Sequence, residues 1–365
     1  MNFKKMILLV VSSLLIVGCN IDKNINDIND TDKPDEIRCK NAPNVILDND
    51  NYDPDWLVTL VTGLALDRDC KINLIGVMIN GTDTHNKAGL MYNTVLTYYG
   101  VSDRIPIGIN HHYQMRTTPT KATSDTPYID PDFKGTQKRI TDFPSDGLLD
   151  SERQDVQTTL CALLEKHDNI IYVTGGHLQN LQALIETKEC NGPELIRKKI
   201  KRFIFGTGYN KETEGEAEMN FSEGRYNTTA ASIAANSVFN SGLDAEVPFW
   251  FPHDGFDRST TSCRIGDQYR DLVHTTSPMA FVYAIDTYGT WGDHCMGDSE
   301  ILLEAANISI EEKIVTPKRE VCIELNSKNA IIYINEGKHC NHYIRSINVG
   351  GELKIVGILN QLLKE

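Results

Sequence analysis

Short apolar runs alternate with longer amphipathic ones through most of this chain. Val45-Ile46-Leu47 has two β-branched residues and reads as the tail of a buried strand. Pro54 then opens an apolar stretch over 56–61 that predicts a helix with proline near its first turn. The same pattern predicts strands at 72–79, 105–108, 169–174, 200–205 and 247–251. It predicts helices at 87–100, ending on a glycine, at 154–166, at 178–185, at 228–239 and at 299–306. This βαβα rhythm implies an α/β fold, a mainly parallel open sheet flanked by helices. Towards the end the character changes. Residues 314–325 and 330–334 predict a β-hairpin around Asn326-Ser327-Lys328-Asn329, followed by a helix at 353–363. They read as a β element appended to the same domain. Residues 109–150, with His111, His112, Tyr113 and Gln114, show no periodicity. A loop that long inside a domain is usually functional, and a lid is one such role.

The N-terminus stands apart from this pattern. Lys4 and Lys5 precede an apolar run to Val17, then Gly18-Cys19. The run is too short and wrongly flanked for a membrane span and reads as a signal peptide. Ile16-Val17-Gly18-Cys19 resembles a bacterial lipobox, which implies lipidation of Cys19 and an exported protein anchored in the bacterial cell envelope. Residues 20–42, rich in Asn, Asp and Lys, read as a flexible tether. The expected organisation is therefore a leader over 1–19, a tether over 20–42, an α/β domain over 43–310, and the hairpin and helix of 311–365 packed on it.

Charge and cysteine content narrow the class. The chain carries 50 acidic against 36 basic residues. That balance argues against nucleic acid as the main partner and suits cation binding outside the cytoplasm. Setting Cys19 aside leaves an even set of cysteines, which in an exported chain suggests disulfides. Cys322 and Cys340 lie in the β-like region and could pair across a hairpin. Zinc finds no CxxC or paired Cys/His spacing here.

Candidate chemistry gathers where predicted strands end. Asp48, Asp50, Asp53 and Asp55 crowd the junction of the first strand and helix. Helix capping explains one or two of them. The mutual repulsion of the rest calls for a cation, most simply a hard divalent one. In Val173-Thr174-Gly175-Gly176-His177-Leu178-Gln179-Asn180 the glycines let backbone approach a ligand, so the Thr174 carbonyl could serve as an oxygen donor; a plain βα turn is the alternative. His177 reads as a helix-start residue without a ligand role. Glu218 and Asn220, two apart after Phe205-Gly206-Thr207-Gly208-Tyr209-Asn210, would face one side and suit sugar hydroxyls, unless they are a solvated loop. Asp298 stands at a helix start, as an N-cap or as a late metal ligand.

In this order the segments resemble the inosine–uridine-type nucleoside hydrolases. The matching stretches are Asp48-Asn49-Asp50 through Asp55, Asn80 after the second strand, the helix and strand over 93–108, Thr174 to Asn180, Gly206 to Asn220, and Asp298. The resemblance spans about residues 44–306 and implies a nucleoside-hydrolase-like, Rossmann-like fold. It implies Ca2+ held by Asp50, Asp55, the Thr174 carbonyl and Asp298. It also implies ribose hydroxyls bound by Glu218, Asn220, Asn210 and Asn80, and Asp50 as the base that takes a proton from the attacking water. Counted from Asp50, Pro54 and Asp55 fall on the family's adjacent aspartates; a one-residue shift gives Asp55 and Trp56 instead. Asp53 is the substitute for the missing carboxylate. The Thr-Gly-Gly turn carries one extra residue, and Gly297 stands where the best-known members have histidine. The substrate expected is a nucleoside or related ribosyl compound. A binding lipoprotein on the same scaffold, without turnover, is the second reading. A phosphatase of the haloacid dehalogenase type is the third, but it gives no role to the Thr-Gly-Gly and Glu-Met-Asn segments. Oligomeric state is not legible.

Overall fold

The computed structural model describes residues 39–49, 55–82, 86–113, 143–206, 229–251, 297–325, 332–335, 340–345 and 347–362. The first half alternates strand and helix: β1 (Asn44–Asn49), α1 (Asp55–Arg68), β2 (Asn73–Ile79), α2 (Ala88–Tyr98), β3 (Ile107–Ile109), α3 (Val156–Lys166) and β4 (Ile170–Thr174). Then come α4 (Gln179–Glu186), α5 (Gly192–Lys199), β5 (Ile200–Phe205), α6 (Thr229–Phe239) and β6 (Phe249–Phe251). The last described elements are α7 (Gly297–Ala305), α8 (Ile308–Glu311), β7 (Arg319–Leu325), β8 (Ile332–Asn335), β9 (His342–Ile344) and α9 (Gly351–Leu362).

The described strands form one sheet in the order β3-β2-β1-β4-β5-β6-β9-β7-β8. Strands β1 to β6 and β9 run parallel, and β7 is antiparallel to both β9 and β8. From β1 the chain winds outward to β2 and β3. It then returns to the other side of β1 and continues through β4, β5 and β6. The reversal lies between β1 and β4, and ligands of open α/β sheets bind at the carboxyl ends of strands beside such a point.

Strand alternation splits the core in two. Val45, Leu47, Val77, Ile79, Val173, Ile204 and Trp250 pack with residues of α1, α2, α7 and α9 on one face. Ile46, Met78, Tyr172, Phe203, Phe205, Phe249 and Phe251 pack with α3 to α6 on the other. Because both faces are covered, the parallel strands read as continuous apolar runs, which is why they were legible. A Cys161–Cys190 disulfide ties α3 to the segment between α4 and α5, and Cys322–Cys340 joins β7 to the chain just before β9. Cys39 and Cys70 are also disulfide-bonded.

Several expectations need correction. The expected C-terminal hairpin is present as β7 and β8; what was not foreseen is β9, which carries it into the main sheet by pairing with β6 on one side and β7 on the other. Buried His342 fixes that junction. Its Nδ1 accepts the Ile323 N–H at 3.0 Å and its Nε2 meets Asp244 Oδ2 at 3.1 Å. Burial lowers its pKa, and the neutral tautomer with the proton on Nε2 satisfies both bonds. The strand expected over 314–325 begins at Arg319; Ile314 and Val315 are buried instead beside the chain before α9, with a lone bridge from Val315 to Ile347. The strand expected over 105–108 is shifted to Ile107–Ile109, since Pro106 has no N–H to give a ladder. Helix α5 was not foreseen. The unstructured reading of 109–150 also misses its end, where the buried Asp150 carboxylate caps α2 by accepting the N–H groups of Gly89 and Ala88 at 2.7 and 3.1 Å.

Candidate functional site

At the switch point Asp48 pairs with Thr174 across β1 and β4. On the α3–α6 face, Ile46, Met78 and Tyr172 each precede by two residues a polar group at a strand's end: Asp48, Asn80 and Thr174. Asp48 is the hub. Its Oδ1 accepts the side-chain amides of Asn180 at 2.7 Å and Asn80 at 3.2 Å, and its Oδ2 accepts the Tyr172 hydroxyl at 2.6 Å. Asp48, Asn80 and Asn180 are fully buried. Burial pushes the Asp48 carboxyl up to about 7, with the Tyr172 and Asn180 bonds pulling the other way. The Tyr172 phenol is raised well above its ordinary value by burial and by the neighbouring carboxylate.

Near this hub several buried polar atoms have no partner among the described residues: Oδ1 of Asn49, Asn80 and Asn180, Nδ1 of His177, and both amide atoms of Gln179. Asn49 donates its amide to the Trp56 carbonyl at 3.1 Å. Burial alone pushes His177 down to about 4, so its imidazole is neutral at pH 7. Its ring meets Tyr113 edge-on with centroids 6.3 Å apart. Tyr113 follows β3 and His177 follows β4, so this contact spans the ends of β2 and β1. The start of the long segment after β3 therefore reaches the site.

The structure gathers part of the predicted set. Thr174 and Asn80 lie at the switch point. The Thr174 carbonyl accepts the Gly206 N–H at 2.7 Å, which uses one lone pair and leaves a second. A Cβ at Gly206 would lie 3.1 Å from that carbonyl oxygen and from the Gly175 backbone, a tight contact that glycine avoids. Asp55 is the first residue of α1 and Asp298 the second of α7. These helices pack together, with Thr59 Oγ1 3.4 Å from Ser299 Oγ, so the starts of both helices come to the same corner of the sheet. Asp50, Asp53, Asn210, Glu218, Asn220 and Cys19 lie outside the described residues. Among the described residues no three His, Cys, Asp or Glu side chains form a metal-binding group. His177 has the helix-start position expected of it.

Sequence reasoning gave no role to Asp48, Tyr172, Asn180 or Gln179. A signal existed in Tyr172, the one hydroxyl in the apolar run over 170–173, and in the two-residue offset between Asp48 and Asp50. Neither is interpretable without knowing that β1 lies beside β4.

The sequence matches no family model and no curated protein. The fold does have solved counterparts. It is similar to an inosine-guanosine nucleoside hydrolase, with a TM-score of 0.55, 12% identity, and coverage of 88% of this chain and 100% of the other. A purine-preferring ribonucleoside hydrolase from Gardnerella vaginalis gives a TM-score of 0.51 at 15% identity, covering 87% of this chain and 99% of that one. The type III effector protein XopQ, solved with adenosine diphosphate ribose, gives 0.53 at 12% identity over 88% and 95%. The fold of this chain is thus a nucleoside-hydrolase-like α/β fold with a C-terminal antiparallel β-hairpin.

Proposed function

We propose that this chain hydrolyses the N-glycosidic bond of a nucleoside or a related ribosyl compound at the carboxyl edge of β1, β2 and β4. The observation that carries this reading is the buried polar network at the switch point of a nucleoside-hydrolase-like fold. The neighbours point to the same class of ligand: two are named as nucleoside hydrolases, and one was solved with adenosine diphosphate ribose.

The chemistry of the expected ligands, three carboxylates and a carbonyl, is that of a hard cation such as Ca2+, and the spare lone pair of the Thr174 carbonyl supports this reading. Asp50, Asp55, the Thr174 carbonyl and Asp298 would hold it. A bound cation of this kind lowers the pKa of a water and fixes its direction. Asp50 takes the proton from the attacking water. Asn80, Asn210, Glu218, Asn220 and Asp53 orient the ribosyl hydroxyls, and the carboxylates stabilise positive charge as it grows on the sugar ring. Asp50→Ala should abolish ribose release from inosine while the unfolding midpoint stays close to wild type. Chelation should do the same reversibly. Ribose release that survives Asp50→Ala would sink the mechanism.

A second reading has its own support. Pro54 and Gly297 stand where the resemblance leads one to expect a carboxylate and a histidine. A ribosyl-binding protein without turnover needs neither. Calorimetric binding of adenosine diphosphate ribose, with no reducing sugar released over hours, would select it. Either form would be a lipoprotein held in the bacterial envelope through Cys19, and Cys19→Ser should move the chain from the membrane to the soluble fraction.

A further inference from the structure

A carboxamide presents an acceptor on one side and two donors on the other, and a half-turn exchanges them at little steric cost. What a ligand meets therefore depends on what holds the amide. In this site both amides of interest are held by one oxygen. Asp48 Oδ1 takes Nδ2 of Asn180 at 2.7 Å and Nδ2 of Asn80 at 3.2 Å. The opposite atom of each, Oδ1, is buried without a partner among the described residues. Asn49 repeats the arrangement independently, its Nδ2 on the Trp56 carbonyl and its Oδ1 unpartnered. All three residues are fully buried. A buried acceptor left unsatisfied is destabilising. Two of them turned outward from one shared oxygen, on two different segments, point to a ligand that brings donors.

We propose that Asp48 is a positioning residue: it turns the carboxamides of Asn80 and Asn180 so that a ligand meets oxygen acceptors and must supply hydroxyl donors, as a vicinal diol of a ribosyl group does. Asp48 acts only through the two asparagines. Its own oxygens are occupied, Oδ1 by both amides and Oδ2 by Tyr172. Oδ1 accepts in either protonation state, so the orientation does not depend on whether the carboxyl is ionised. The identity of the ligand rests on the ribosyl reading above; the orienting role does not.

The test uses the full chain, saturating Ca2+, and ribose as the probe. Asp48→Leu removes the shared acceptor and should weaken ribose binding by about tenfold or more. Asp48→Asn keeps an Oδ1 that accepts from both amides and should restore affinity to within about threefold of wild type. Tyr172→Phe removes a bond to the same carboxyl without touching Oδ1. It should lower the unfolding midpoint but change affinity by less than about threefold. Equal loss of affinity in Tyr172→Phe and Asp48→Leu would make the role merely structural and overturn the proposal, as would unchanged affinity in Asp48→Leu. A separate readout needs neither ligand nor a destabilised variant. In the wild-type protein the side-chain NH2 resonances of Asn80 and Asn180 should exchange slowly with solvent, and fast exchange overturns the proposal. If ribose fails to bind but these amides are protected, the ribosyl reading falls and the orienting role stands.

Discussion

Asp48, on β1, and Glu304, on the helix α7, are both buried carboxylates, and the chain surrounds them differently. Glu304, near the end of α7, lies 3.3 Å from Arg345 Nε and 3.8 Å from Arg202 Nη1. Both guanidiniums also stack on Trp250, at 5.0 and 5.1 Å from the ring centre. Burial raises the Glu304 pKa, and the two arginines pull it back. Asp48 has only neutral partners: two amides and a phenol. Among the described residues no positive charge contributes to its pKa, which burial carries up to about 7. One carboxylate is neutralised by the chain itself and fastens α7 to β5 and to the end of β9. The other is left without a counter-charge at the switch point, where α/β proteins place ligands. The difference separates an anchor from a site.

Removing Glu304 should give the largest effect. Glu304→Leu leaves Arg202 and Arg345 buried without their counter-ion, a situation that typically costs about 3–5 kcal/mol. Urea unfolding should show a loss of that size with no change in ribose affinity. A loss below about 1 kcal/mol would mean that Trp250 and the carbonyls at the end of α7, which Arg202 also contacts, suffice to hold the arginines.

The carboxyl edge breaks differently, through pH. Asp48 ionises near 3.8 when unfolded and at about 7 in the fold. Between those values the folded chain holds a proton that the unfolded chain lacks. Stability then falls as pH rises, by about 1.4 kcal/mol per unit for this group. His177 runs the opposite way, from 6.5 unfolded to about 4 folded. Over that window the unfolded chain holds the extra proton, so stability rises with pH at about the same slope. In the wild type the two contributions nearly cancel between about pH 4 and 6.5, and only the Asp48 slope persists to about 7. Asp48→Asn should expose the histidine slope, with stability increasing with pH, and His177→Gln should expose the aspartate slope, with stability decreasing. Urea midpoints at about pH 4.5 and 6.5 decide it. Parallel profiles for the two variants would show that burial does not set both titrations.

What the sequence discloses follows the same division. Strand β4 was legible because burial on both faces demands an unbroken apolar run, and β5 through the shorter run Phe203-Ile204-Phe205 that follows Lys201 and Arg202. Helix α5 was not, since Gly192-Pro193-Glu194-Leu195-Ile196-Arg197-Lys198-Lys199 offers only Leu195 and Ile196 to a core, and its N-terminal proline was the only cue. Strand β9 is three residues long and is fixed by what His342 touches rather than by any pattern of its own. At the site, Thr174 could be named from its place at a strand end, and Asn80 only through the resemblance. Asp48 could not be given a role, because it stood in an acidic cluster whose obvious explanation was a cation. Its real partners, Asn80, Tyr172 and Asn180, are 32, 124 and 132 residues away and depend on strand order. Local pattern reports burial; the convergence of polar groups is a property of topology.

The smallest effect sharpens the comparison at its outer edge. Lys318 is exposed, with its ammonium 4.2 Å from the Tyr343 ring centre and 5.4 Å from that of Trp250. Trp250 therefore faces three cations, two of them buried arginines paired with Glu304. An exposed cation–π contact contributes about 0.5–1 kcal/mol, and repulsion from the two guanidiniums subtracts from it. Lys318→Met keeps the aliphatic cover over the rings and removes the charge, so it should change stability by less than about 0.5 kcal/mol. In Glu304→Leu the balance shifts, because the arginines then lack a counter-ion and a third positive charge beside them is unfavourable. Adding Lys318→Met to that variant should recover about 0.5–1 kcal/mol, and the gain should shrink in about 1 M salt. A double variant no more stable than Glu304→Leu alone would show that Lys318 is already screened, and that the anchor is confined to Glu304, Arg202, Arg345 and the face of Trp250.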